Sequence, residues 1–75
     1  MTFGQLIQAR RLALGLNQRE LAARAGVSPM TIYHLERDTT AQPRYDTVVR
    51  VCRAIGLTLT EVLAVMRVRD DRDDA

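Results

Sequence analysis

Residues 18–37, with the sequence QRELAARAGVSPMTIYHLER, restrict the fold of this chain more than any other stretch. Their first half carries small and apolar residues at the i, i+1 and i+4 spacing of one helical face, namely Leu21, Ala22 and Ala25. Gly26 accommodates a positive φ and ends that helix. Ser28 followed by Pro29 is typical of the cap and first turn of another helix. The stretch therefore predicts two short helices that cross closely at a tight turn.

The flanking sequence predicts three further helices. The first runs from Phe3 to Leu14 with Thr2 as its cap, and its inward stripe is Phe3, Ile7, Arg11 and Leu14. Residues 38–42 form a polar loop that ends at Pro43. The fourth helix starts near Tyr45 and ends at Gly56. Its inward positions are Val48, Val49, Val51, Cys52 and Ile55.

The last helix begins at a capping box formed by Thr58 and Glu61 and runs to about Arg67. Its apolar residues form two stripes: Leu59, Leu63 and Met66, and Val62 with Val65. We expect the first stripe to close the monomer core and the second to pair with a second copy of the chain. The alternative is that Val62 and Val65 are scattered surface residues. The fold class is thus all-α with five helices. Residues 1–69 form one domain and residues 70–75 a charged, frayed tail.

Composition limits the possible functions. A chain of 75 residues forms one small domain with a marginal core, and an apolar fraction of 47% suits a globular protein. We expect no membrane span and no signal peptide, which fits a bacterial cytoplasm. A lone cysteine, Cys52, is expected to be a small buried hydrophobe, the alternative being a redox role. Residues 1–53 hold eight arginines against four acids, and residues 54–75 hold three against five. The basic part therefore coincides with the central stretch, as a polyanionic partner would require.

The central stretch has the spacing of a helix-turn-helix, and it resembles that domain of phage repressors and Cro proteins, the xenobiotic-response-element family of bacterial regulators. The resemblance covers about residues 3–66. It is carried by residues that stand where the family pattern puts them: Arg11, Gly15-Leu16-Asn17-Gln18, Leu21-Ala22, Gly26-Val27-Ser28, Ile32, Leu35-Glu36, Pro43 and Ile55-Gly56-Leu57. It implies a lambda-repressor-like fold with residues 18–37 as the helix-turn-helix core.

Arg11 lies on the inward stripe of the first helix, where a buried cation needs a partner. The resemblance implies that it pairs with Glu36 and ties the first helix to the third. The alternative is that Arg11 extends to solvent or contacts phosphate.

The third helix is the expected recognition helix, since the second helix of this motif enters the major groove. Ile32 and Leu35 face inward, so the opposite side is Met30, His34 and Arg37, flanked by Tyr33. The predicted base contacts are Pro29, Met30, Tyr33 and His34. For His34 the alternative is an ordinary exposed histidine, and for Met30 and Tyr33 a protein-binding patch. One histidine and one distant cysteine make no metal site.

Phosphate contacts are expected at helix ends, from Asn17, Gln18, Thr31, Arg37 and Thr39. The role of Gln18 is implied by the resemblance. Arg44 matches a position from which relatives reach the minor groove, the alternative being a solvated charge. The predicted dimer interface is Leu59, Val62, Val65 and Met66.

The leading hypothesis is a sequence-specific transcriptional regulator, a repressor that binds a palindromic operator on double-stranded DNA as a homodimer. An alternative is the DNA-binding antitoxin of a toxin–antitoxin pair, with Arg67–Ala75 as the segment that binds the toxin. A third is a protein-interaction module that has lost DNA binding. An enzyme is not expected, because no nucleophile with an adjacent base and no phosphate-binding glycine loop is present, and no cofactor is expected.

Overall fold

The computed structural model describes residues 1–40 and 43–65. All regular structure in these ranges is helical: α1 (Phe3–Ala13), α2 (Gln18–Ala25), α3 (Pro29–Glu36), α4 (Tyr45–Ala54), and α5 over residues 59–65. The predicted all-α fold with five short helices is confirmed. None of the helices in the described ranges has the length and apolar character needed to cross a bilayer. The predicted end of the fifth helix, Met66 and the tail 70–75 lie outside the described residues.

Three helices, α1, α2 and α5, begin at a capping box, in which the cap and the third residue after it bond each other's backbone N–H groups. The Thr2 hydroxyl accepts from the Gln5 amide at 3.1 Å, and the Asn17 side chain accepts from the Glu20 amide at 2.7 Å. The Thr58 hydroxyl accepts from the Glu61 amide at 3.2 Å. In each case the third residue after the cap accepts in return from the backbone of the cap. These reciprocal bonds satisfy donors that helix geometry leaves unpaired, so they set where each helix starts.

The core lies where α3 packs against α1 and α2, and α2 packs against α4. Its fully buried side chains come from all four helices: Ile7, Leu21, Ile32 and Val51. Cys52 is half-buried against this core, and burial raises the pKa of its thiol. A thiol in such a place stays protonated and packs as a small apolar group.

Leu14 is the exception on the inward stripe of α1, because 49% of it is exposed. The helical spacing no longer applies there, since α1 ends at Ala13 and the chain reverses at Gly15. Leu16, after the turn, is buried instead. The prediction that Leu14 faces inward was wrong for this local reason.

The side of α5 that is buried differs from the prediction. Val62 is only 8% exposed, whereas Leu59 is 72% and Leu63 is 44% exposed. Val62 and Leu59 line one cleft together with Val48, Val49 and other residues of α4. The prediction that Leu59 and Leu63 close the core was therefore wrong, since Val62 is the buried residue of the three.

An ion pair between distant parts of the chain orients α5. The Arg10 guanidinium bonds Glu61 Oε1 at 2.6 Å and also donates to the carbonyls of Ile55 and Gly56 at 3.3 and 3.0 Å. Bonds from the Thr58 backbone and then from Arg10 lower the pKa of the Glu61 carboxyl. Arg10 thus links the start of α5 to α1.

Candidate nucleic-acid interface

The turn between α2 and α3 is closed by backbone geometry. Gly26 has φ 72°, and the Val27 amide donates back to the Ala22 carbonyl at 3.0 Å. Ala22 is 1% exposed, so no room is left there for a larger side chain. The Ser28 hydroxyl then accepts from the Thr31 amide at 3.2 Å and starts α3. Together these bonds hold the start of α3 in a set direction.

One side of α3 is presented to solvent. Ile32 and Leu35 are buried, whereas Met30 is 60% and Tyr33 is 40% exposed. His34 is exposed next to Tyr33, with the two rings edge to face at 5.4 Å between centroids. The Arg37 guanidinium lies over the Tyr33 ring, 5.4 Å from its centroid. Aromatic and cationic groups thus form one continuous surface.

The predicted base-contact residues also meet α2. Pro29, Met30 and Tyr33 line a shallow cleft together with Gln18 at the N-terminus of α2. The structure therefore brings the predicted base contacts and the predicted phosphate contact of Gln18 to one surface. The N-terminus of α2 carries amide donors that suit phosphate groups, and the exposed side of α3 lies beside it. Such an arrangement suits a nucleic-acid groove together with the phosphate backbone along its edge.

Behind this surface lies a buried polar network. The Arg11 side chain bonds both carboxylate oxygens of Glu36, at 2.6 and 3.0 Å, and donates to the Leu16 carbonyl at 2.8 Å. Gln18 Nε2 donates to Glu36 Oε1 at 3.1 Å. The side chains of Arg11 and Glu36 are 9% and 3% exposed. The two-bond, fork-like pairing leaves each charge satisfied without water.

Gln18 was not predicted to join this network. Its amide has two N–H groups, and the bond to Glu36 holds one of them. The other N–H is thereby oriented by a carboxylate that is itself held by Arg11. The buried pair thus supports the position of a side chain on the outer surface.

The remaining residues predicted to contact phosphate differ in which of their polar atoms already form bonds within the chain. Asn17 caps α2 through its side-chain oxygen, which leaves the amide nitrogen on the outside. Thr31 Oγ1 lies 3.0 Å from Ser28 Oγ. The Thr39 amide and hydroxyl both donate to the His34 carbonyl, at 3.1 and 3.2 Å. A phosphate contact from Thr39 would require one of these bonds to break.

Arg44, just before α4, is open to solvent. Its side chain is 82% exposed and lies 3.3 Å from Asp46 Oδ1, whose side chain is 52% exposed. An ion pair this exposed contributes little to stability. Arg44 also lines a cleft with Met30 and His34, which places it at the edge of the surface formed by α3.

Asp38 is a residue of this region that the sequence did not point out. It follows α3 with φ 56°, and its carboxylate accepts from the Gly4 amide at 3.0 Å and from the Thr2 hydroxyl at 2.5 Å. Its charge therefore lies against the N-terminus of α1, where the helix dipole favours an anion. The available signal was an aspartate just after a helix, since aspartate tolerates this backbone conformation.

Two helices joined by a glycine turn, the second with an exposed face beside the N-terminus of the first, define a helix-turn-helix domain. The sequence model of the helix-turn-helix family matches residues 7–62, most of the chain. The chain belongs to this family, in its Cro/C1-type, xenobiotic-response-element branch, as its sequence predicted. It is a DNA-binding regulatory protein of that type, a class that is not typically enzymatic.

Proposed function

We propose that the chain is a transcriptional repressor that binds a palindromic operator as a homodimer, with α3 in the major groove. One observation carries this proposal: the acid of α3, Glu36, is buried in its pair with Arg11. Asp38, exposed just after α3, bonds the N-terminus of α1 and lines a cleft with Tyr33 and Arg37. The outward side chains of α3 and of Arg37 at its end are therefore neutral or cationic, which suits a polyanion.

The proposed contacts divide into two classes. Pro29, Met30, Tyr33 and His34 meet base edges, where Met30 packs against a thymine methyl and His34 forms a hydrogen bond. Phosphates are held by Asn17 and Gln18 at the α2 N-terminus. Thr31 in the first turn of α3 and the Arg37 cation at its end hold others. Arg44 extends toward the adjacent minor groove, where A·T-rich DNA attracts arginine. The proposed partner places the protein at the bacterial nucleoid.

The protein-interaction alternative requires a surface suited to another protein. An acidic recognition helix would favour it, and α3 has no acid on its outward side because Glu36 is buried. The antitoxin alternative rests on Arg67–Ala75, which lie outside the described residues. DNA binding is common to that alternative and to the repressor, so co-purification with a small toxin separates them.

The first test is selection from random duplex DNA at moderate salt, followed by sequencing. We expect enrichment of a two-fold symmetric site with half-sites about 10 base pairs apart, because a dimer presents two copies of α3 one helical turn apart. Weak, strongly salt-dependent binding with no enriched site would overturn the sequence-specific regulator.

The Gln18→Ala variant supplies the control for phosphate contacts in that experiment. It should lower affinity for selected and random DNA by the same factor, about two- to tenfold, because one hydrogen bond to the backbone is lost everywhere. Its unfolding midpoint is measured in parallel, because Gln18 also bonds Glu36. Equal affinity of variant and wild type would remove Gln18 from the phosphate contacts.

The proposed dimer interface is formed by α5. Leu59 and the half-buried Val65 are its described members, and Met66 lies beyond the described residues. Val62, which the sequence also assigned to the interface, is buried within the monomer. One module of this size contacts too few base pairs for useful specificity, and a second copy supplies the other half-site.

Leu59→Glu should shift the protein to monomer and weaken binding to the full symmetric site by at least about tenfold, because it places a charge in an apolar interface. A glutamate in the first turn of α5 suits the helix dipole, so the fold should be retained. Sedimentation of the free and DNA-bound protein gives the mass. The control is Leu12→Glu, which changes a leucine 59% exposed on α1. An unaltered mass for Leu59→Glu would move the interface away from Leu59.

A further inference from the structure

His34 and Thr39 form a closed pair at the C-terminal end of α3. His34 Nδ1 lies 2.9 Å from Thr39 Oγ1, and the same hydroxyl donates to the His34 carbonyl at 3.2 Å. The two contacts place the threonine oxygen between the imidazole ring and the backbone of one residue. Such a pair constrains the ring nitrogen that faces it.

The position of the protons follows from counting donors. A hydroxyl has one hydrogen, and a carbonyl has none to give. If the Thr39 hydrogen pointed to Nδ1, two oxygen lone pairs would face each other at 3.2 Å in the contact with the His34 carbonyl. When the hydroxyl donates to the carbonyl and accepts from Nδ1–H, both contacts are satisfied. The ring then carries its hydrogen on Nδ1, and Nε2 is a hydrogen-bond acceptor.

The imidazole ring of His34 is exposed and lines a cleft on the outer side of α3. Among the described residues that line this cleft, Arg44 is the one with a charged side chain, and its guanidinium lies 3.3 Å from Asp46 Oδ1. The Tyr33 ring packs edge to face with the imidazole, at 5.4 Å between centroids. In the uncharged ring, the Nε2 edge that Thr39 leaves open therefore presents a lone pair.

We infer that Thr39 is a positioning residue that makes His34 select an exocyclic amino group, adenine N6 or cytosine N4, in the major groove. The inference rests on the proposed function, because it requires α3 to lie in that groove. Adenine and cytosine present amino donors there, whereas guanine and thymine present acceptors. An acceptor nitrogen can bond the amino groups of adenine and cytosine, whereas it meets only lone pairs on guanine and thymine.

The first measurement needs no DNA. Long-range ¹H–¹⁵N correlation spectra of the free protein at about pH 8, where an ordinary imidazole is uncharged, report which ring nitrogen is protonated. We expect the hydrogen on Nδ1 in the wild type and in Thr39→Ser, which keeps the hydroxyl. Thr39→Val lacks the hydroxyl and should show exchange between both tautomers. A wild-type ring protonated on Nε2 would overturn the inference.

The second measurement uses the selected operator. The position to test is the one at which the His34→Ala variant no longer prefers a particular base. We expect adenine or cytosine there, favoured about tenfold over guanine or thymine, as for one hydrogen bond with an unmatched alternative. Replacing adenine by 2-aminopurine, or cytosine by 2-pyrimidinone, removes the amino donor and should cost about three- to tenfold. 7-Deazaadenine keeps that donor and should bind with wild-type affinity.

Thr39→Val should lower the preference for adenine or cytosine to about twofold, and Thr39→Ser should keep it near the wild-type value. A merely structural role for Thr39 would instead lower affinity for all four bases alike and would overturn the inference. Sequence-specific binding with guanine or thymine at this position would overturn the inference about Thr39 and leave the proposed function in place. Absence of any selected site would overturn the proposed function with it, so the two failures are distinguishable.

Discussion

Glu36→Ala should unfold about half of the protein or more at room temperature, because it leaves the Arg11 guanidinium buried without its carboxylate. Arg11 is 7% exposed as a residue, and both of its bonds to Glu36 would be lost. Breaking one side of a buried ion pair costs about 3–5 kcal/mol. A core of this size supplies a free energy of unfolding of only about the same amount. Urea titration followed by circular dichroism measures the change.

The double variant Arg11→Met, Glu36→Leu distinguishes the cost of an unpaired buried charge from the cost of lost packing. Two apolar side chains bury no charge, so the double variant should be more stable than Glu36→Ala by about 2 kcal/mol. Arg44→Ala is the exposed counterpart, since its pair with Asp46 is open to solvent, and it should cost less than about 1 kcal/mol. A double variant no more stable than Glu36→Ala would contradict an unpaired charge as the cause.

Gly4→Ala should destabilise the protein by about 3 kcal/mol, although alanine is the better helix former by about 1 kcal/mol. A β-carbon at this position in α1 would lie 2.4 Å from the Leu35 carbonyl oxygen and 2.6 Å from that of Glu36. Both are backbone atoms at the end of α3, so α1 would have to move away. Thermal unfolding should show a midpoint lower by about 10–20 °C for a domain of this size.

Ala9→Gly provides the matched comparison on the exposed side of the same helix. It reverses the change of residue without touching α3, and it should cost about 1 kcal/mol through helix propensity alone. If Gly4→Ala raised the midpoint, the close approach of α1 to α3 would be wrong. In that case propensity would govern Gly4 as it governs Ala9.

The exposed side of α3 could be predicted from the sequence, whereas the exposed side of α5 could not. Ile32 and Leu35 define one inward face on α3, so Met30 and His34 must lie opposite. On α5 both stripes are apolar, and periodicity alone does not choose between Leu59 and Val62. The folded chain makes the choice, because it buries Val62 and leaves Leu59 exposed.

Local chemistry in the sequence determined the helices and the turn. The caps at Thr2, Asn17 and Thr58 act on amides three residues away, and Gly26 ends α2 by its own φ. Such bonds form within one helical turn, so the residue order is enough to predict them.

Only the tertiary structure decided how these helices are held together and what the surface presents. The Asp38 carboxylate reaches Thr2, 36 residues away, and Arg10 reaches Glu61, 51 residues away. Gly4 is required by carbonyls that belong to another helix. Contacts between groups so far apart in the chain exist only after packing has set the distance and direction of each helix. The bonds that hold Glu36 and Asp38 against α1 are therefore a property of the folded domain.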